Sequence, residues 1–229
     1  MDDIPKIILP HGGYRSLIVY KKSDLVFEGT VAFCRRFLDA RRDRTVDQMV
    51  QAARSCKQNI AEGSASSGTS KETEIKLTNV ARATLDELIE DYLDWLKTHG
   101  AAVWAADGKE TKAAREYATA HMSWADWKGL FETRPPEILA NLMLTLCHQT
   151  RYLLDRLLAR LEADFTKHGG LRERMHAART AERGREWQTA AFSRLDGART
   201  AEELDARAAE ARAELARMVQ ELKKKKGWD

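Results

Sequence analysis

The sequence predicts an all-α fold: an antiparallel up-down four-helix bundle with a helical insertion before the fourth helix and a helical C-terminal extension. Three observations predict it. Apolar residues recur at steps of three and four along four segments, which lays one stripe on an α-helix. Those segments end at glycines or at short polar stretches, the connections expected between antiparallel neighbours. Only four prolines occur in 229 residues, against abundant Ala, Leu, Arg and Glu, which favour helix over sheet.

Residues 1–15 read as an N-terminal loop, because Pro5, Pro10 and Gly12-Gly13 break any period. The bundle is expected over 16–170. Its first helix runs from Ser16 to about Leu38, with Leu17, Tyr20, Val26, Phe27, Val31 and Phe37 as a broad apolar face. After the polar connection Arg41–Arg44, Thr45-Val46-Asp47-Gln48 reads as a capping box, the threonine hydroxyl taking the N3 amide while Gln48 reaches back. Met49, Ala53, Cys56 and Ile60 form the core stripe of the second helix, opposite the polar stripe Asp47, Gln51, Arg54 and Gln58. Gly63 is placed as its terminating C′ glycine, and Ser64–Gly68 as a small, flexible linker.

Thr69-Ser70-Lys71-Glu72 is a second capping box, opening a helix with the stripe Leu77, Ala81, Leu85, Leu88 and Tyr92, closed by Gly100. Residues 101–134 are an aromatic insertion holding Trp104, Trp124, Trp127 and Phe131. On a helix Trp124 and Trp127 share a face, for stacking on bases or for packing against the bundle end. Pro135-Pro136-Glu137 is a good helix start. The fourth helix carries Leu139, Leu142, Leu146, Leu153, Leu157 and Leu161 to the exit at Gly169-Gly170. Residues 171–229 form the extension: an arginine-rich helix, a second helix with the heptad seam Leu204, Ala208, Ala211, Leu215, Met218 and Leu222, and the basic tail Lys223–Lys226. The seam is short for an independent coiled coil and is expected to dock on the bundle or on a sister subunit.

No apolar run approaches the roughly 20 residues of a spanning helix, and Met1-Asp2-Asp3-Ile4-Pro5 lacks the pattern of a secretory leader. A cytoplasmic protein with no membrane partner is expected. Cys34, Cys56 and Cys147, odd in number and set in helical apolar stretches, read as buried thiols.

In the second helix, Gln48-Met49-Val50-Gln51-Ala52-Ala53-Arg54-Ser55 followed by Asn59-Ile60-Ala61-Glu62-Gly63 resembles a bacterial four-helix-bundle family. That family is typified by proteins encoded in intervening sequences of 23S ribosomal RNA, and it includes the accessory variability determinant of diversity-generating retroelements. The resemblance continues through Thr69–Glu72 and Val80–Leu88. The fourth helix, with Tyr152-Leu153-Leu154-Asp155-Arg156 and Gly169-Gly170, is similar to the subset called four-helix-bundle suffix proteins. It covers roughly residues 14–175 and implies an up-down bundle assembling into a homopentamer. In retroelement relatives it implies a basic surface serving a reverse transcriptase and its nucleic acid. The insertion and the tail depart from the minimal bundle, and the third helix is markedly acidic.

Up-down topology assigns charges to the two ends of the bundle. Asp86, Glu87, Glu90, Asp91 and Asp94 share one end with Arg35, Arg36, Arg41 and Arg42, for mutual neutralisation. The other end gathers Arg15, Lys21 and Lys22, then Lys57, Lys71 and Lys76, and finally Lys167, Arg172 and Arg174. Net charge is only +3, but repeated around a ring these cations would form a rim able to bind phosphates by counterion release; otherwise they are a solvated surface. Arg54 reads either as a nucleic-acid contact or as an inter-subunit hydrogen-bonding position. Asn59 and Glu62 read as fixing the end of their helix.

No chemistry is legible. No two histidines have the i, i+4 spacing of a zinc helix, no Cys-x-x-Cys occurs, and adjacent Cys147 and His148 point about 100° apart. Gly63–Gly68 lacks the Gly-Lys-Ser/Thr ending of a phosphate-binding loop. A nuclease would need a metal-binding cluster such as Asp86, Glu87, Glu90 and Asp91. The expected function is therefore a non-catalytic oligomeric accessory protein, with no cofactor or metal, binding RNA or DNA or a nucleic-acid-processing enzyme. The alternative is a protein-interaction scaffold without nucleic-acid binding.

Overall fold

A computed structural model describes residues 7–8, 11–195 and 201–226. The loop breakers Pro5 and Pro10 and the side chains of Leu204 and Lys226 lie outside the described residues. The chain divides into two compact units, Ile8–Arg172 and Glu173–Asp229 with Met1–Ile7. In the first, a 3-10 turn at Tyr14–Ser16 leads into α1 (Ile18–Phe37), α2 (Thr45–Ser66), α3 (Lys71–Thr98), α4 (Lys109–Ala120), α5 (Trp124–Thr133) and α6 (Pro136–His168). Helix α7 (Leu171–Leu195) starts there and continues into the second unit, which also holds α8 (Ala201–Lys226). The described elements are all helical. Among the described residues no helix is long and apolar enough to cross a membrane.

Four helices share one core. Helix α1 packs on α2 and α6, and α3 packs on the same two. Met49, Ala53, Cys56 and Ile60 are buried, as are Ala81, Leu85, Leu88 and Tyr92, and Leu139, Leu142, Leu146 and Leu161. Each such large side chain contributes roughly 1.5–3 kcal/mol by leaving water. Across the core, Tyr92 of α3 meets Phe33 of α1 edge-on at 5.4 Å between ring centroids, and its hydroxyl bonds Thr30 Oγ1 at 3.1 Å.

The buried face of α1 differs from the expected one. Val19, Leu25, Val26, Phe33 and Cys34 face inward, whereas Phe27, Val31 and Phe37 are only half-buried. Phe27 and Val31 instead line a groove of about 780 Å³ with Val46, Val50 and Trp124. Their stripe is wider than a single helix-packing seam, so its outer edge stays open.

The helix ends bring further corrections. Helix α2 carries no side-chain cap: Arg44 holds the cap position, and Asp43 Oδ1 accepts from the Thr45 amide at 2.9 Å. The cap of α3 is Ser70, one residue after Thr69, with its hydroxyl accepting from the Thr73 amide at 3.1 Å. Gly63 does not terminate α2, which continues to Ser66 and consumes most of the expected linker. Gly63 is the point where α2 and α3 approach: a Cβ there would lie 3.3 Å from the Glu74 carbonyl oxygen and 3.4 Å from Leu77 Cβ. Pro136 opens α6 as expected, and Gly100 and Gly169, at φ 66° and 65°, lie just beyond α3 and α6.

The insertion is two helices, α4 packed on α6 and α5 on α1. Trp127 is fully buried, its indole donating to the His121 carbonyl at 3.1 Å, so it offers no face to a base. Buried Asn141 of α6 pins the segment leading into α4: it accepts from the Trp104 amide at 2.9 Å and donates to the Ala102 carbonyl at 3.0 Å. In the second unit, Arg174 Nε donates to the Ile7 carbonyl at 3.1 Å, and Leu215, Met218 and Leu222 of the heptad seam are exposed.

Gly63→Leu is expected to destabilise the chain by about 1–3 kcal/mol, because backbone and Cβ atoms of α3 cannot yield. Gly129→Ala in α5, where a Cβ meets nothing within 4 Å, should instead stabilise by about 0.5–1 kcal/mol. Urea unfolding of the two variants checks both signs.

Candidate nucleic-acid interface and the fate of its cations

The start of α1 and the end of α2 are joined by reciprocal bonds: the Gly12 amide donates to the Ser64 carbonyl at 3.1 Å, and the Ser64 hydroxyl donates to the Gly12 carbonyl at 3.2 Å. Lys76 near the start of α3 lines a depression with Leu158 and Glu162 of α6. The segment before α1 thus meets the end of α2, and the start of α3 meets the end of α6.

The cations placed there behave differently from one another. Arg15, Lys21, Lys76, Lys167 and Arg172 are exposed, and none pairs with a carboxylate among the described residues. Arg15 leans over the Tyr14 ring, 5.7 Å from its centroid. Arg54, further along α2, is exposed as well. Lys57 is held by Asp24 at 2.9 Å and lies 4.3 Å from the Phe27 ring centroid. Lys71 is bound to Glu74 at 2.7 Å with both side chains largely buried. Arg174 belongs to the second unit, with its Nε on the Ile7 carbonyl.

Lys22 is the clearest departure from the surface role expected of it. It is only 5% exposed. Its ammonium donates to the Ala118 carbonyl at 2.7 Å and to Gln149 Oε1 at 2.8 Å, so it cannot reach a nucleic-acid backbone. Ala118 lies in the last turn of α4, where carbonyls lack intrahelical partners and the helix dipole favours a cation. Gln149 is fixed in turn, its amide donating to the Arg115 carbonyl at 3.0 Å. Spacing carries the missed signal: Lys22 falls in the row Val19, Lys22, Val26, Thr30, Phe33, at steps of 3, 4, 4 and 3, which is the buried row of α1.

The opposite end is also arranged differently. Arg36 donates to the Arg134 carbonyl at 2.8 Å and to the Phe131 carbonyl, closing the end of α5 and leaving the acids of α3 alone. Asp86 is bound by Arg151 of α6 at 2.6 Å, and Arg82 lies 3.4 Å from Asp155. Burial first, then neighbouring Asp94 and Glu87, raises the Asp91 carboxyl above its usual range. Among the described residues no group of three or more His, Cys, Asp or Glu side chains converges as metal ligands would.

Gly63–Ser66 is helical and the Ser67 hydroxyl is turned back onto the Ser64 carbonyl at 2.7 Å, so no open phosphate cradle forms. Asn59, well inside α2, donates to the Ser55 carbonyl at 2.8 Å and does not end the helix. Cys34, Cys56 and Cys147 are free and buried. Burial pushes the Cys34 and Cys56 thiols up to about 12 and raises the Cys147 thiol well above its ordinary value. All three should react with a thiol reagent only as fast as the core opens, so native-state labelling that outpaces unfolding would contradict this packing.

Burial also lowers Lys22 from its ordinary 10.5 to about 8. Between those values the unfolded chain binds more protons than the folded one, so stability rises with pH across that window. The full cost of holding the lysine charged is borne below it. The stability of the native sequence relative to Lys22→Met should climb with pH between about 8 and 10.5, by at most about 1.4 kcal/mol per pH unit. Parallel pH profiles from chemical denaturation would contradict the burial.

Comparison with family models, with curated proteins and with solved structures returns no match to this chain.

Proposed function

We propose that the chain is a non-catalytic accessory protein that assembles with copies of itself and contacts nucleic acid, or an enzyme working on it, through the end of the bundle where α1 and α3 start. In this reading α1, α2, α3 and α6 are an antiparallel up-down bundle. Pairings that descend on one helix as they ascend on the next support it: Arg82 with Asp155 and Asp86 with Arg151 between α3 and α6, and Lys57 with Asp24 and Met49 with Cys34 between α2 and α1. The resemblance to the intervening-sequence and retroelement-accessory family adds the ring, which as a homopentamer would present five copies of each residue.

One observation carries the nucleic-acid reading: Arg15, Lys21, Lys76, Lys167 and Arg172 stand exposed at one end with no carboxylate partner among the described residues. Exposed acids near them in sequence are Glu62, Glu72, Glu162 and Asp164, with Glu173 of the second unit following Arg172, so a single subunit carries no excess of exposed charge there. Repetition around a ring would gather these unpartnered cations into a surface able to attract phosphates. Arg54 joins this surface if its face of α2 remains open in the ring.

A protein-interaction scaffold is the second reading. The open groove of Phe27, Val31, Val46, Val50 and Trp124 and the exposed Leu215, Met218 and Leu222 favour it.

Anisotropy of a labelled single-stranded oligonucleotide, followed across salt concentrations, separates the readings. Nucleic-acid binding predicts affinity falling steeply with salt. In Lys21→Glu/Lys76→Glu/Lys167→Glu the salt slope should shrink by roughly one for each phosphate that is no longer neutralised. Lys22→Met should leave the affinity unchanged. Absence of binding, or binding indifferent to salt, overturns the nucleic-acid reading and leaves the scaffold.

A further inference from the structure

Lys22 also lines a cavity of about 550 Å³ between α1, α4 and α6. That volume is within the range of small-molecule sites, roughly 300–1,000 Å³. Its walls are mostly apolar, built by Ile18, Tyr152 and Leu153, and no carboxylate lines it. At its mouth Ile18 is 60% exposed and Tyr152 59%, and the Tyr152 hydroxyl accepts from Arg156 at 3.2 Å. Its basic groups are Lys22, Arg115 and His148. His148 is held toward its neutral form by burial and by Arg115, with Asp86 opposing and Arg151 reinforcing this. Arg151 is itself bound to Asp86 and Asp155, so it is not a donor for the cavity.

A lysine ammonium has three N–H donors. Here two are taken, by Ala118 and Gln149. No third acceptor and no counter-anion meet it among the described residues. Burying a charge with carbonyl dipoles alone leaves part of its desolvation cost uncompensated, and an anion entering the cavity would recover it. Gln149 is locked by the Arg115 carbonyl and α4 is packed on α6, so the ammonium is fixed before a ligand arrives. An ordinary core lysine would extend to solvent along its own stem. Lys22 instead ends inside, beneath an apolar mouth.

We propose that this cavity is a binding site for a small monoanionic carboxylate with an apolar body, the carboxylate accepting from the free N–H of Lys22 and the body lying between Ile18, Tyr152 and Leu153. Arg115 at the rim supplies a second attraction for the same charge. Phosphate esters and other dianions fit less well, because one buried cation and apolar walls balance a single negative charge. This site is independent of the nucleic-acid reading, since Lys22 takes no part in that surface.

Calorimetric titration of the full chain with 2-naphthoate and with neutral 2-naphthamide, of nearly the same shape, tests it. The carboxylate should bind with one site per chain and about tenfold or more tighter than the amide, the margin of a charge-assisted hydrogen bond. Lys22→Met should erase the margin, while Lys21→Met, one residue away and exposed, should keep it. Should Lys22→Met fail to fold, Ile18→Asp decides: an acid at the mouth should weaken the carboxylate and spare the amide. Equal affinities for the two probes, a margin indifferent to Lys22→Met or Ile18→Asp, or no binding of either would overturn the proposal.

Discussion

Tyr92 at the centre of the core is the contact on which the arrangement depends. Helices α1 and α3 both pack on α2 and α6, and long side chains span the space between them. Tyr92 and Trp95 reach from α3 to Phe33 of α1, with ring centroids 5.4 and 5.1 Å apart and near-perpendicular edges. Such pairs contribute about 0.5–1.5 kcal/mol beyond area burial. The Tyr92 hydroxyl, fully removed from water, is satisfied by Thr30. That bond fixes the height of α1 against α3 as well as their separation. Gly63 sets the complementary limit, holding α2 close enough to α3 for the same core to close.

A second constraint follows from burying Lys22 beside that core. An ammonium in the packed row of α1 is tolerable only where acceptors meet it, and the Ala118 carbonyl in the last turn of α4 and Gln149 Oε1 of α6 provide them. The insertion is thus part of the core's electrostatics and not an ornament on its surface. Asn141 and Arg36 act in the same way at its other margins, the first tying down the chain before α4 and the second closing the carbonyls at the end of α5. Three long-range polar anchors therefore seat two short helices that would be marginal alone.

Much of the fold was legible because leucine stripes at helical spacing are satisfied by burial against other helices. The stripe of α2 and most of that of α3 lie inward as their spacing implies, but Leu77 is only half-buried, and in the later half of α6 Leu154 and Leu158 are buried while Leu153 and Leu157 are only half-buried. Helix ends were less legible. Gly63 resembles a terminator in sequence, but the same missing Cβ serves close packing, and only the neighbouring helix distinguishes the two. Thr45 lies inside α2, whose cap position Arg44 makes no side-chain bond, and Ser70 took the capping role from Thr69, because the chain enters those helices one residue away from where the hydroxyl pattern suggests. At the candidate site, charge and helix end can be read from the residues, but their partners cannot. Lys57 and Lys71 look like free cations until Asp24 and Glu74 are placed beside them. Lys22 looks like a surface residue until a carbonyl 96 positions away arrives. The cavity lined by Arg115, His148 and Tyr152 draws on helices far apart in sequence, and no local motif announces it.

Native-state hydrogen exchange tests the shared core most directly. If α1, α2, α3 and α6 close around the Tyr92 contact as one cooperative unit, the amides of Phe33, Cys56, Leu88 and Leu146 exchange with one common opening free energy, and Tyr92→Leu lowers all four together. Separate opening energies for these helices, or a Tyr92→Leu effect confined to α3, would contradict the account.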